Sequence, residues 1–189
     1  MRIKIMGLSR IHKWFLVFGL RLIAIYLVFF ISYLLISLFG GFHFVNLIEA
    51  NIAYFFVKLA YPLVQIDLNV ISNLVVNGTY SNFAVSIDDI CLGWFPIAGF
   101  SAMILALPKI KIKKKLNALK FGIPILFAAN ILRIIIVIFA AAFFGLEGFD
   151  FFHLFVVKFD LMILIVALFL YSAKKIIGKK ELQKSIESF

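Results

Sequence analysis

The chain has 189 residues, a net charge of +10 and a 65% share of hydrophobic residues, among them 24 phenylalanines. A soluble domain of this length has too little interior to hide that much apolar surface, and the mean hydropathy of +1.12 assigns the chain to a membrane. The charge does not point to nucleic acid, because fifteen of the 19 Lys and Arg stand in three clusters at the ends of apolar runs, the arrangement that orients a protein in a bilayer.

Arg2, Lys4, Arg10 and Lys13 precede the first apolar run, about residues 14–39. That run is too long for the core of a signal peptide and has no small-residue cleavage site after it, so it is expected to stay as an anchor. With the basic end in the cytoplasm, it leaves the membrane on the outer side at Gly40-Gly41. The next segment, 44–61, carries Asn46, Glu49, Asn51 and Lys58 and ends at Pro62. If it crossed, the following run would deliver the cluster Lys109, Lys111, Lys113, Lys114, Lys115 and Lys120 to the outside, against the positive-inside bias. It is therefore expected to be an interfacial or re-entrant helix.

From 65 to 90 the period changes. Ile66, Leu68 and Val70 alternate with Gln65, Asp67 and Asn69, while Phe83, Val85 and Ile87 alternate with Ala84, Ser86 and Asp88. Between them stands Asn77-Gly78, a favoured turn dipeptide. Alternation of this kind predicts short half-buried strands, here a small β-structured outer cap. A second crossing is expected over 94–107, stopped at Pro108, a third over 121–144 and a fourth over 151–171. The basic tail 174–189 is expected in the cytoplasm. The expected fold is thus an all-α integral membrane protein of about four transmembrane helices, with one interfacial helix and the outer cap. The whole of 1–189 is read as one membrane domain with both termini cytoplasmic.

The expensive residues inside these runs mark the candidate site. Arg133 near mid-span costs several kcal/mol, by order of magnitude, unless it is paired or reaches water. Asp160 is the acidic residue on the next run, and an Arg133–Asp160 pair is the bland account of both. Counting about 1.5 Å per helical residue from the nearest lysine puts Cys91 at roughly 27 Å, the Arg133 backbone at roughly 20 Å and His153 at roughly 31 Å above the inner boundary. Asp160, at roughly 21 Å, matches the backbone height of Arg133. The long arginine side chain reaches further outward, so thiol, guanidinium and imidazole share a layer near the outer edge of a core about 30 Å thick. Asn130 shares a helix face with Arg133, as His153 does with Asp160.

These residue types fit covalent acyl chemistry. A thiolate is the nucleophile and a neighbouring cation stabilises it. An imidazole exchanges protons with the thiol and the leaving amine, and a guanidinium stabilises a developing oxyanion. Cys91, the only cysteine, also precedes a helix whose N-terminal dipole favours its thiolate, whereas Asp89 opposes it. One cysteine and one outer histidine fall short of a four-ligand set, so neither metal nor cofactor is expected.

A cysteine heading a membrane span, Asn-x-x-Arg inside the next and a histidine at the outer start of the following one resemble the exosortase/archaeosortase family. The residues that carry the likeness are Cys91-Leu92-Gly93, Asn130-Ile131-Leu132-Arg133 and His153, supported by Asn77-Gly78 and Asp89, over about 75–171. The resemblance implies a multi-pass enzyme of a prokaryotic cytoplasmic membrane, with its active site at the outer face. It implies cleavage of a C-terminal tripartite sorting signal (a short motif, an apolar helix and a basic tail) on membrane-anchored envelope proteins. Cys91 would form an acyl-enzyme, Arg133 stabilise and His153 act as acid and base, with transfer to an envelope amine. Leu92 departs from the Ser or Thr usual after the cysteine, and the chain is shorter than most members. The rival reading of the same residues is a non-enzymatic scaffold or small transporter component, with Arg133 and Asp160 in a buried polar network. Lipid or polysaccharide chemistry at the outer leaflet is a third class, for which no distinct motif stands in the chain.

Overall fold

The structure is a computed structural model that describes residues 2–60, 65–68, 73–77, 82–86, 93–152 and 157–188. Six α-helices account for most of it: α1 (Arg2–Leu38), α2 (His43–Ala60), α3 (Trp94–Ala106), α4 (Ile112–Phe151), α5 (Val157–Tyr171) and α6 (Lys179–Glu187), with a π-helical stretch Ser172–Gly178 joining the last two. Three strands, β1 (Gln65–Leu68), β2 (Asn73–Asn77) and β3 (Asn82–Ser86), form an antiparallel sheet in that order. Ile66 pairs with Val76, and Val76 with Phe83. The connection that holds Gly78 lies outside the described residues.

Among the described residues three helical stretches are long and apolar enough to cross a membrane: Arg10–Leu38, Ile112–Gly145 and Leu161–Glu187. The most apolar stretch of α1 buries none of its residues, and Phe15, Leu16, Leu20, Ile23 and Val28 all face outward. So long a stripe of outward apolar side chains is a lipid-facing surface. The chain is a multi-pass membrane protein. Three of the four expected crossings fall on these stretches; the expected second crossing falls on α3, a shorter apolar helix of 13 residues, which at 1.5 Å each makes a rod of about 20 Å beside a hydrocarbon core of about 30 Å.

Boundaries also move. The lysine cluster was expected to separate two spans, yet α4 begins at Ile112, so Lys113, Lys114, Lys115 and Lys120 ride on its first turns. Lysine is a good helix former whose long stem carries its charge away from the apolar surface. The Nζ of Lys115 donates to the Leu105 carbonyl at 2.6 Å, satisfying an orphan acceptor at the end of α3. The expected outer loop after residue 144 is helical through Phe151, broken only at Gly145, whose φ of 69° interrupts the helix. That left-handed conformation is cheap only for glycine. The tail is likewise helical: α6 docks back through Ser185, whose Oγ accepts from Trp14 Nε1 at 2.9 Å and donates to the Pro108 carbonyl at 2.6 Å.

Two apolar clusters hold the helices together. One joins α1, α3, α4 and α5 through Trp14, Phe100, Ile104, Leu126 and Leu168. Ala98, Ala102 and Ala106 are also buried on α3, and small side chains at this spacing let neighbouring backbones approach closely. Gly122 of α4 stands directly over Phe100: a Cβ there would lie 2.2 Å from its ring. The other cluster joins Ala50, Ala53 and Val57 of α2 to Ile134, Ile138 and Ala142 of α4, with Val85 of β3 packed beside it.

Helix α2 is not among the crossing helices, but its faces are the reverse of those of a helix floating on an interface. Asn46 and Glu49 are buried against protein, while Phe44, Phe55, Phe56 and Leu59 face outward. Two of its polar side chains, Asn46 and Glu49, are thus on the packed side, whereas Asn51 and Lys58 are exposed.

Candidate active site

The start of α3 is the meeting point. Gly93 precedes the helix as its N-cap residue, and the side chain of Asn130 on α4 lies against it. A Cβ on Gly93 would be 3.3 Å from Asn130 Cβ and 3.5 Å from its Nδ2. A side chain here would oblige Asn130 to give by a few tenths of an ångström, so the glycine lets the two helices meet closely. Asn130 is fully buried, and Glu49 of α2 is 1% exposed. The Asn130 Nδ2 donates to both carboxylate oxygens of Glu49, at 3.3 Å to Oε1 and 3.2 Å to Oε2.

Glu49 takes a second donor, the backbone N–H of Gly93, and feels the charge of Arg133. One carboxyl group thus links three helices: its own α2, the first N–H of α3 and the Asn-x-x-Arg face of α4. An acceptor at the N-terminus of a helix satisfies an orphan donor and meets the positive end of the helix dipole. Burial nevertheless dominates and pushes the carboxyl up to about 7 from 4.5, against the lowering effects of Asn130, Gly93 and Arg133. Arg133 is itself buried, at 8% exposed, one turn beyond Asn130 on the same face.

Aromatic rings wall the start of α3. Trp94 packs edge-on to Phe29 of α1 and Phe42, with centroids 6.3 and 5.6 Å away. Phe95 packs on Tyr33 at 4.9 Å. The turn from α1 into α2 is thereby held against the start of α3.

Of the residues singled out from sequence, Asn130 and Arg133 fall within this buried node. Asp89, Cys91, Leu92 and His153 lie outside the described residues, as does the Asp160 side chain, although its backbone belongs to α5. Sequence reasoning missed Glu49, whose carboxyl accepts from Asn130 and feels the charge of Arg133. The signal was present. Asn46, Glu49, Ala50, Ala53 and Val57 recur at helical spacing on one face, and the opposite face carries the large aromatics. A polar pair sharing a face with small residues marks a packed seam.

Among the described residues no group of three or more His, Cys, Asp or Glu side chains is arranged to hold a metal ion. The family model of the transmembrane exosortases (Exosortase_EpsH) matches residues 12–172. No curated protein and no solved structure matches the chain.

Proposed function

The chain belongs to the transmembrane exosortase family, and from that premise we propose that it is a cysteine peptidase and transpeptidase acting on the C-terminal sorting signals of envelope proteins. The observation that carries the reading is the contact of Asn130 with Gly93. It brings the Asn-x-x-Arg face of α4 to the start of α3, and Cys91 is two residues upstream of Gly93 in the chain. Two residues reach at most about 7 Å, within the combined span of an arginine and a cysteine side chain.

In this reading the Cys91 thiolate attacks the scissile carbonyl and Arg133 stabilises the oxyanion that forms. His153 gives its proton to the departing amine, leaving an acyl-enzyme. An amine on an envelope acceptor then attacks the thioester and releases the thiol. Asn130 fixes the arginine-bearing face, Asp160 supports His153 from the same helix face, and Asp89 shapes the approach to the cysteine. No cofactor enters the reaction. Leu92 brings no hydroxyl, so the thiol, imidazole and guanidinium carry the chemistry.

We read the whole chain as one membrane unit of a prokaryotic cytoplasmic membrane, with α3 as the fourth crossing and the sheet as an outer cap. A short helix serves as a crossing when protein surrounds it, since only lipid-exposed backbone must be satisfied within its own segment. Helix α3 packs against α1, α4 and α5.

The test is processing of a co-expressed fusion that ends in a tripartite signal from the same genome, followed by mobility on gels. Cys91→Ala, Arg133→Ala and His153→Ala should each lower processing by at least about a hundredfold while the protein still inserts. Normal processing by Cys91→Ala ends the proposal.

A further inference from the structure

We propose that Glu49 is a positioning residue of this site: its carboxyl group clamps the start of α3 to the Asn130–Arg133 face of α4 and thereby sets the reactivity of the Cys91 thiol. The inference rests on the sortase-like reading for its link to turnover, but not for its link to the thiol.

The geometry of the clamp is specific. Asn130 and the Gly93 N–H are both donors, and they converge on one carboxyl group. Two donors need acceptors only, which an ionised carboxylate supplies on both oxygens and an amide on one. Glu49 is buried to 1% exposure on a helix whose outward face is largely apolar, a costly placement for a group of purely local use. Nothing in the local helix requires it, since its donors come from α3 and α4. Gly93 and Asn130 approach closely and both donate to the same carboxyl group, so a change in the carboxyl passes to the backbone two residues after Cys91 and to the helix face that bears Arg133.

Replacing the carboxylate by its isostere separates clamp from bulk. Glu49→Gln keeps the volume, but it presents an NH2 group where an acceptor is needed and removes the charge that faces Arg133. A merely structural role predicts lower stability with an unchanged thiol in the protein that folds. A positioning role predicts a thiol that loses its stabilised thiolate, because thiolate fraction follows the position of the nearby cation and helix N-terminus.

The experiment measures the alkylation rate of Cys91, the only cysteine, by a membrane-impermeant maleimide in vesicles holding the full chain, with Cys91→Ala as the blank. Turnover of the sorting-signal fusion is measured in parallel. In Glu49→Gln, alkylation at about pH 8, where the wild-type carboxyl that titrates at about 7 is mostly ionised, should slow by at least about fivefold, and kcat should fall at least about tenfold with KM within about twofold. Asn51→Ala, on the exposed side of the same helix, should leave both rates at the wild-type level. If Glu49→Gln fails to accumulate, Glu49→Asp takes its place, with alkylation slowed at least about twofold because the shortened side chain withdraws both acceptors. Alkylation at the wild-type rate or faster, in whichever variant accumulates, overturns the proposal. Normal processing by Cys91→Ala overturns the sortase-like reading instead, and Glu49 is then judged on alkylation alone.

Discussion

A buried carboxyl group charges the fold for its ionisation, and Glu49 illustrates how that cost is divided. Asn130, the Gly93 N–H and Arg133 each favour the charged form, but loss of water outweighs them and holds the group near pH 7 instead of 4.5. The neutral form is therefore favoured in the folded protein relative to the unfolded one. The stability contribution is full below pH 4.5, declines as pH rises through about 7 and is level above that. The span corresponds to a loss on the order of 3 kcal/mol. Unfolding of the detergent-solubilised protein should thus show the wild type losing stability between these pH values relative to Glu49→Gln, whose amide does not titrate. A constant difference between the two proteins across that range would refute the assignment. Arg133 was legible from sequence because an arginine inside an apolar run has no cheap explanation. Glu49 was not, because an acidic residue in a short, mixed segment reads as solvated until its helical face is compared with its neighbours. The Arg133–Asp160 pair weighed from sequence falls on a side chain outside the described residues, and depth counting along single helices cannot say which helices touch.

At the scale of elements, the long apolar runs were readable and their ends were not. Lysines mark where a charge must find water, but a snorkelling side chain does so from within a helix, which is why α4 begins at Ile112 and not after Lys120. The alternating stretches coincide with β1 and β3, whereas β2 (Asn73–Asn77) carries Leu74, Val75 and Val76 in an unbroken run without that period. Packing between elements was invisible, and Gly122 is the clearest case. In the sequence it is one more glycine in an apolar stretch; in the fold its missing side chain admits the ring of Phe100, which is fully buried. A Cβ at that site would stand 2.2 and 2.3 Å from two ring atoms, so the ring or a helix must move by more than an ångström. Overpacking of that kind costs about 1–3 kcal/mol. Gly122→Ala should lower the unfolding temperature measured in detergent, and adding Phe100→Leu should recover at least about half of the loss, because contacting sites do not add independently. A double variant no more stable than Gly122→Ala would show that the α3–α4 contact does not set the cost.

For the whole molecule, the three basic clusters converge on one end. Trp14, next to Lys13 in sequence, bonds Ser185, and Ser185 bonds the Pro108 carbonyl. The Nζ of Lys109 donates to the Ser188 carbonyl at 2.6 Å, and Lys114 pairs with Glu181 at 3.4 Å. The start of α1, the α3–α4 junction and the C-terminal helices are therefore neighbours. Helix α2 does not return to that end: Glu49 meets Asn130, and the later residues Ala53 and Val57 cluster with Ile134, Ile138 and Ala142, so it climbs beside the far half of α4. The way back runs through α3, whose first residues touch Phe29 and whose last carbonyls meet Lys115. The positive-inside bias, which favours lysine-rich segments on the cytoplasmic side, gives the expected orientation. Both termini are expected in the cytoplasm, with the sheet and the Gly93–Asn130–Glu49 node toward the outside. Paired reporters test this, one that is active only in the cytoplasm and one only outside, fused after Asp67 or after Phe189. The Asp67 fusions should report outside and the Phe189 fusions inside; a cytoplasmic signal at Asp67 would mean that α2 crosses, and the four-crossing arrangement would fall.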